Sequence, residues 1–202
     1  MSHLVNSRSN SKLEKEGDFR TLTDEELVQK IVKSRDSFLF GELYDRYAKV
    51  VFNKCSDFAR SRNEAEDLTQ DVFLMLFIKL ASFKGRSKFS SWLYSFTYNF
   101  CVNYVNRNKE RKISDYAGSI DDNDTALLVE VKDENLFKMR SDKLRKALNR
   151  IEPEDKSLLL LKYQDDVSIK ELTNLLDLGE SAVKMRLKRA KTRIIQTYNN
   201  LP

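Results

Sequence analysis

Apolar residues recur at helical spacing in two long blocks of the chain, and the stretch between the blocks lacks that rhythm. In the first block, from Asp24 to about Arg107, Leu27 and Ile31 are followed by Phe38, Leu43, Tyr47, Val50 and Val51, then by a run from Leu68 to Leu80. Such spacing sets one stripe of each helix toward a shared core, which predicts a compact helical bundle. In the second block, from Leu136 to Tyr198, the helical period returns. Between them, from Lys109 to about Asn135, the period fades and acids collect in "SIDDNDTALLVEVKDEN", a flexible connection by composition. The expected class is all-α, two small helical domains: a polar tail over residues 1–20, a bundle over 21–108, an acidic linker over 109–137 and a second helical domain over 138–202.

The second block carries sharp local signals. Ser168 and Glu171 in "SIKE" make a capping box, in which each side chain serves the other's backbone N–H, so a helix is predicted from there to about Leu176. "DLGE" follows, with Gly179 placed to turn the chain and cap the next helix, "SAVKMRLKRAKTRIIQTY". Two helices on a tight turn form a helix-turn-helix. At about 100° per residue, Val183, Leu187, Ala190 and Ile194 share a packing stripe. Ser181, Met185, Lys188, Arg189 and Thr192 fall opposite, flanked by Lys184, Arg186, Lys191 and Arg193. A helix docked by its apolar side with cations on the other is suited to a DNA major groove, where Arg and Lys read guanine edges or hold phosphates. A solvated terminal helix would carry the same charges, but would not need the capped helix and turn before it.

In the first block, "NEAE" at residues 63–66 resembles another capped start, and "VFLMLFIKL" from Val72 to Leu80 is apolar nearly all round. It is either a fully buried central helix or one whose second side awaits a partner. Asp67, Gln70 and Asp71 lie on its first turns, where they can orient a docking partner. A short basic loop with a central glycine follows, "ASFKGRSKF" at residues 81–89. In the helix beyond it, Leu93, Thr97, Phe100 and Tyr104 share the core side, whereas Trp92, Ser95, Asn99, Asn103 and Asn106 share the other. An indole followed by amides can stack on a base and hydrogen-bond base edges or phosphates.

Composition removes several function classes. Five Gly and two Pro in 202 residues favour helices, and the 41% hydrophobic share is enough for a real core. The net charge of +5 makes acidic partners more favourable without naming one. Cys55 and Cys101 sit inside apolar helical patterns, which argues against a disulfide scaffold or zinc site and for a reducing, cytoplasmic setting. No stretch approaches a membrane span, and the N-terminus lacks the apolar core of a signal peptide. The sole histidine, His3, lies in the tail, and no metal, phosphate-loop or nucleophile motif is present. No cofactor, metal or catalysis of its own is expected.

With these residues in view, "AEDLTQDVFLMLFIKLASFKGRSKFSSWLYSFTYNFCVNYVNR" resembles region 2, and "LRKALNRIEPEDKSLLLLKYQDDVSIKELTNLLDLGESAVKMRLKRAKTRI" resembles region 4, of the small two-domain bacterial sigma factors of the extracytoplasmic-function group. The resemblance implies that the helix from Asn63 to Leu80 docks on the clamp coiled coil of the largest subunit of core RNA polymerase, with Asp67, Gln70, Asp71 and Leu74 at the contact. It implies that the loop receives a base flipped from the minus-ten element. Gly85 would let the backbone approach, Phe83 and Phe89 would fix or wall the pocket, and Lys84, Arg86 and Lys88, with Ser87 between them, would attract the unpaired strand. Asn99 matches a family position that helps read this element, beside Trp92 and Asn103.

In region 4, Ser181, Lys184, Met185, Arg186, Lys188 and Arg189 would meet the minus-35 element, and an apolar surface would touch the polymerase flap. The linker would thread toward the polymerase active-centre cleft. Two departures bear on minus-35 reading: where the family often has Ser as cap and Thr in the first turn, this chain has Gly179 and Ala182, each without a hydroxyl. An anti-sigma factor and an accessory DNA-targeting protein are further partners consistent with the resemblance. The rival reading is a helix-turn-helix repressor or activator independent of polymerase, which accounts for residues 140–196 but leaves the loop and the amide stripe idle.

Overall fold

The computed structural model describes residues 19–115 and 139–202. The expected tail, except its last two residues, and the expected linker from residue 116 onward lie outside the described residues. A single 3-10 turn (Phe19–Thr21) leads into helix α1 (Asp24–Ser34). Thr23 caps α1: its hydroxyl accepts the Glu26 N–H, and the Glu26 carboxylate accepts the Thr23 N–H at 2.9 Å. This Thr-Asp-Glu-Glu box follows the same rule as Ser168 and Glu171. Helix α2 (Ser37–Ser56) starts at Asp36, whose carboxylate accepts the Phe38 N–H at 2.7 Å.

Helix α3 (Arg62–Lys79) starts at Ser61, two residues ahead of the expected Asn63. The Ser61 hydroxyl takes the Glu64 N–H, and the Glu64 carboxylate reaches back to the Arg60 N–H. A 3-10 turn (Leu80–Ser82) closes it. Helix α4 (Phe89–Asp115) continues past Arg107, where the apolar period was expected to end. Its first N–H is served from another element: Glu25 of α1 accepts from Phe89 N at 2.9 Å.

These helices close over one core, in which Leu27, Leu43, Val51, Val72, Phe89 and Leu93 are fully buried. Cys55 and Cys101 meet there as free thiols with sulfurs 3.9 Å apart. Arg46 ties the N-terminal turn to α2: its guanidinium donates to the Phe19 and Leu22 carbonyls and to the Asp24 and Glu42 carboxylates.

The second block comprises α5 (Ser141–Leu148), α6 (Pro153–Leu159), α7 (Ile169–Leu176) and α8 (Glu180–Asn199). A π-helical segment (Leu160–Gln164) prolongs α6. The capping box at Ser168 and the end of α7 at Leu176 fall where the sequence places them. The turn differs. Asp177, with φ 52° and ψ 46°, takes the left-handed conformation, and its N–H caps the Thr173 carbonyl; Gly179 is extended, with φ −67°. The reversal is therefore carried by Asp177, a short polar residue that tolerates this region. Gly179 stands at the N-cap of α8 with no side chain to cap it.

The two blocks pack on each other. Tyr98 of α4 is fully buried in a cluster with Leu158, Leu161, Val167, Leu172, Val183 and Leu187 of the second block.

Acid should loosen this fold by a traceable route. Tyr104 and the Arg60 N–H hold the Glu64 carboxyl below its usual 4.5. Burial pushes Glu171 up, but its bonds from Ser168, Ser91 and the Lys88 backbone outweigh that and hold it below 4.5. The unfolded chain therefore takes up these protons first, so their stabilisation is complete above pH 4.5 and is lost as pH falls through the lower folded values. The thermal midpoint should drop by several degrees between pH 5 and about 3, and Glu64→Gln with Glu171→Gln should flatten that slope.

Candidate nucleic-acid interface

The loop between α3 and α4 stands on a cluster of rings. Phe83 lies edge-on to Phe89 at 5.4 Å and 5.5 Å from Trp92, which stacks on Phe96 at 5.4 Å. Phe89 also meets Tyr47 at 5.6 Å and is fully buried, so of the two expected parts, fixing or walling a pocket, its place in the core fits the first: it anchors the loop. Phe83 is only half-buried, and Lys84, Gly85, Arg86 and Lys88 are exposed between the two phenylalanines, with Ser87 half-buried. Gly85 has φ +67°, and nothing lies within 4 Å of where a Cβ would stand. Backbone conformation, not crowding, calls for glycine here.

The amide stripe of α4 is partly realised. Asn99 and Asn103 are exposed, but Ser95 is buried, Trp92 is half-buried in the ring cluster and Asn106 donates to Glu154 at 2.7 Å. Rings of its own block take Trp92, and the second block, which packs along α4 and takes Asn106, leaves the helix no continuous solvent face. Projection of one helix could not register that neighbour.

On α8 the packing stripe is as projected: Val183, Leu187, Ala190 and Ile194 are buried. Ser181, Lys184, Met185, Arg186 and Arg189 are exposed and Lys188 is half-buried. Thr192 departs from the expectation: it is buried and donates to the Lys188 carbonyl at 3.1 Å, at the edge of the packing stripe rather than on the cationic face. Lys184 pairs with Glu180 one turn back at 2.5 Å, and Arg193 with Asp155 at 2.7 Å.

For α3 the two sequence alternatives resolve clearly. Leu68, Val72, Phe73 and Leu76 are buried, whereas Leu74 and Ile78 are 66% and 68% exposed. Met75, Phe77 and Val32 of α1 extend this apolar surface, and Asp67, Gln70 and Asp71 are exposed on the preceding turns.

Two residues that the sequence reading passed over matter most to the arrangement. Lys54 of α2 and Asp165, just past the π-helical segment, form an ion pair between the blocks, with side chains 3% and 7% exposed. Burial lowers the Lys54 ammonium pKa, and Asp165 offsets this only in part. The available signal was Lys54 itself, a cation in line with Tyr47, Val51 and Cys55 on the core stripe of α2. Among the described residues no cluster of His, Cys, Asp or Glu is arranged to hold a metal.

A bundle with an uncovered apolar helix and a basic loop, joined to a helix-turn-helix with a cationic second helix, defines a protein of the Sigma-70 class. The chain matches Sigma-70 region 2 over residues 43–111 and Sigma-70, region 4 over residues 141–194. It is 32% identical over 181 residues to the ECF RNA polymerase sigma-E factor of Escherichia coli (strain K12), covering 86% of this chain and 93% of that protein. Against the ECF RNA polymerase sigma factor SigW of Bacillus subtilis (strain 168) it is 23% identical over 187 residues, covering 85% and 95%. Among solved structures, the sigma factor RpoE in complex with the anti-sigma factor NepR from Bartonella quintana has a similar fold. Its TM-score is 0.55 at 18% identity, covering 81% of this chain and 98% of that one. CnrH in complex with the cytosolic domain of CnrY gives a TM-score of 0.53 at 17% identity, covering 84% and 93%. The chain belongs to the extracytoplasmic-function sigma factors, and its partners are core RNA polymerase and promoter DNA.

Proposed function

We propose that this sigma factor docks on the polymerase clamp coiled coil through α3, reads the minus-ten element through the loop and α4, and reads the minus-35 element through α8. The observation that carries the reading is the apolar face of α3, left uncovered on a well-packed bundle beside a basic loop. Leu74 seats the contact, and Asp67, Gln70 and Asp71 orient it with polar bonds. Once docked, the chain opens the minus-ten region. A flipped base enters over Phe83 and Trp92, the Gly85 backbone approaches it, and Lys84, Arg86, Ser87 and Lys88 hold the strand, with Asn99 and Asn103 reading beyond. Phe89 fixes the platform from below. Unstacking a base costs on the order of a few kcal/mol, which stacking on these rings must offset.

On α8, Arg186, Lys188 and Arg189 contact base edges and Lys184 a phosphate, with Ser181 and Met185 at the groove wall. The domains assigned to these tasks are residues 21–108 and 138–202, with α4 carrying the first onward to Asp115. No helix among the described residues is long and apolar enough to cross a membrane, in keeping with work at cytoplasmic DNA. The RpoE of Bartonella quintana is paired with the anti-sigma factor NepR, and an anti-sigma factor is proposed for this chain by that likeness.

Run-off transcription with core polymerase and a genomic fragment library tests the reading: discrete start sites should appear only when the chain is added. DNA binding without stimulated initiation or polymerase co-purification would make it a repressor or activator instead. On promoters so found, Arg189→Ala should weaken minus-35 binding by about 1–3 kcal/mol with relaxed base preference, whereas Lys184→Ala should lower the salt slope by about one unit with preference unchanged.

A further inference from the structure

Three consecutive acids open α1, and each holds a different part of the bundle. Glu26 completes the Thr23 capping box. Asp24 accepts from the Arg46 guanidinium at 2.9 Å and from the Tyr47 hydroxyl. Glu25, half-buried between them in sequence, accepts the Phe89 N–H at 2.9 Å across a separation of 64 positions. Leu27, Val28 and Ile31 are buried just beyond, so this carboxylate projects from a fixed support.

The bond gains its weight from what the loop lacks. One end of the loop is tied locally: the Phe83 N–H donates to the Leu80 carbonyl at 3.1 Å, and the Lys84 ammonium to the Ala81 carbonyl at 3.2 Å. At the other end Lys88 stands just before α4, in the place where a helix ordinarily has Ser, Thr, Asp or Asn to accept an orphan N–H. An ammonium can only donate. Glu171 of the second block serves the Lys88 N–H, and within the bundle itself the acceptor for the start of α4 is Glu25. A carboxylate there also meets the positive end of the α4 dipole. The loop thus keeps a cation at its exposed edge and takes its cap from another helix.

Phe89 is also the residue on which the rings converge, with Phe83 at 5.4 Å, Tyr47 at 5.6 Å and Trp92 at 5.9 Å. The same turn of α1 therefore holds the backbone of Phe89 through Glu25 and a ring beside it through Asp24 and Tyr47.

We infer that Glu25 is a positioning residue for minus-ten reading: by capping α4 from α1 it fixes Phe89, and through Phe89 the Phe83 and Trp92 rings on which the flipped base stacks, without touching DNA itself. The inference rests on the role proposed above for the loop. A stacking surface discriminates between bases only as sharply as its rings are held, and the holding group here lies outside the loop.

Trp92 is the sole tryptophan of the chain, so its fluorescence reads the platform with no DNA present. In the full chain carrying Glu25→Ala, acrylamide quenching of Trp92 should rise. Run-off transcription on promoters altered at single minus-ten positions should lose discrimination roughly fivefold, the factor to which a lost cap of ordinary strength corresponds. Affinity for core polymerase should be unchanged, since the apolar face of α3 is untouched. Glu25→Gln keeps an oxygen that accepts the same N–H and should hold both readouts at the parent values. Asp36→Ala removes a comparable cap from the start of α2 and should lower the thermal midpoint while moving neither readout.

Parent-like quenching and discrimination in Glu25→Ala, an equal shift in Asp36→Ala, or a Glu25→Gln chain that behaves as Glu25→Ala would each overturn the positioning role and leave the proposed function standing. Raised quenching with discrimination intact in both Glu25→Ala and Phe83→Ala would show that the ring platform does not read the base, and would remove the loop's proposed role together with this inference.

Discussion

Leu74→Asp combined with Ile78→Asp is expected to reduce affinity for core polymerase about thirtyfold or more while leaving the chain folded. Both side chains are about two-thirds exposed, so neither change places a charge in the core. At a docking surface, central apolar anchors each contribute about 2 kcal/mol or more, and a carboxylate in their place adds a desolvation cost. Titration of labelled core polymerase measures the loss, and circular dichroism checks the fold. Minus-ten base preference in residual transcription should stay as it was, because the loop is unchanged. Undiminished binding would mean that this face meets something other than polymerase. Leu76→Asp marks the contrast: one residue from Met75 and Phe77 but fully buried, it should unfold the bundle.

Phe89→Ala is expected to destabilise the chain by about 3–5 kcal/mol, as removal of a fully buried ring does when its neighbours cannot collapse into the space. Tyr47, Phe83 and Trp92 all rest on this ring, so the loop should lose its seat together with the core. Phe83→Ala, at a half-buried position, should cost less than half as much and yet abolish most discrimination at the flipped base. Urea unfolding reads the first quantity, and run-off transcription on promoters altered at single minus-ten positions reads the second. If Phe83→Ala leaves base preference untouched, the exposed ring takes no part in selection.

The pairing of these two phenylalanines marks how far the sequence could be read. Six residues apart in one basic loop, they look alike; which is anchor and which is platform depends on Tyr47, forty-two positions away from Phe89, and no local pattern contains that distance. Helix existence was legible because apolar spacing and caps are local, and the box at Ser168 appears where the residues place it. The start of α3 was misread because Ser61 competes with Asn63 for the same role. On α8 the packing stripe was legible and Thr192 was not, since a hydroxyl that bonds to the Lys188 carbonyl one turn back can be buried without an outside partner. The cationic face, the uncovered apolar face and the loop were legible as composition on a helix or between helices. The contact between blocks was not. It joins Lys54 to Asp165 and Arg86 to Asn174, and in the sequence only the oddity of a lysine on a core stripe points toward it.

The π-helical segment from Leu160 to Gln164 adds a question of residue count to this picture. A π turn accommodates one residue more than an α turn. It is this surplus that phases Asp165 to meet Lys54 and Val167 to enter the shared cluster. Removing one residue from the segment would restore an α-helical turn and swing everything after it by about 100° about the helix axis. The turn between α7 and α8 would survive, but α8 would be carried off α5 and α6, where Ala190 and Ile194 meet Ala147 and Leu159, and the aspartate would be aimed off the lysine. The residue count here thus sets phase both within the second block and between the two halves, and a single-residue deletion far from any DNA contact would act on promoter reading by unseating α8.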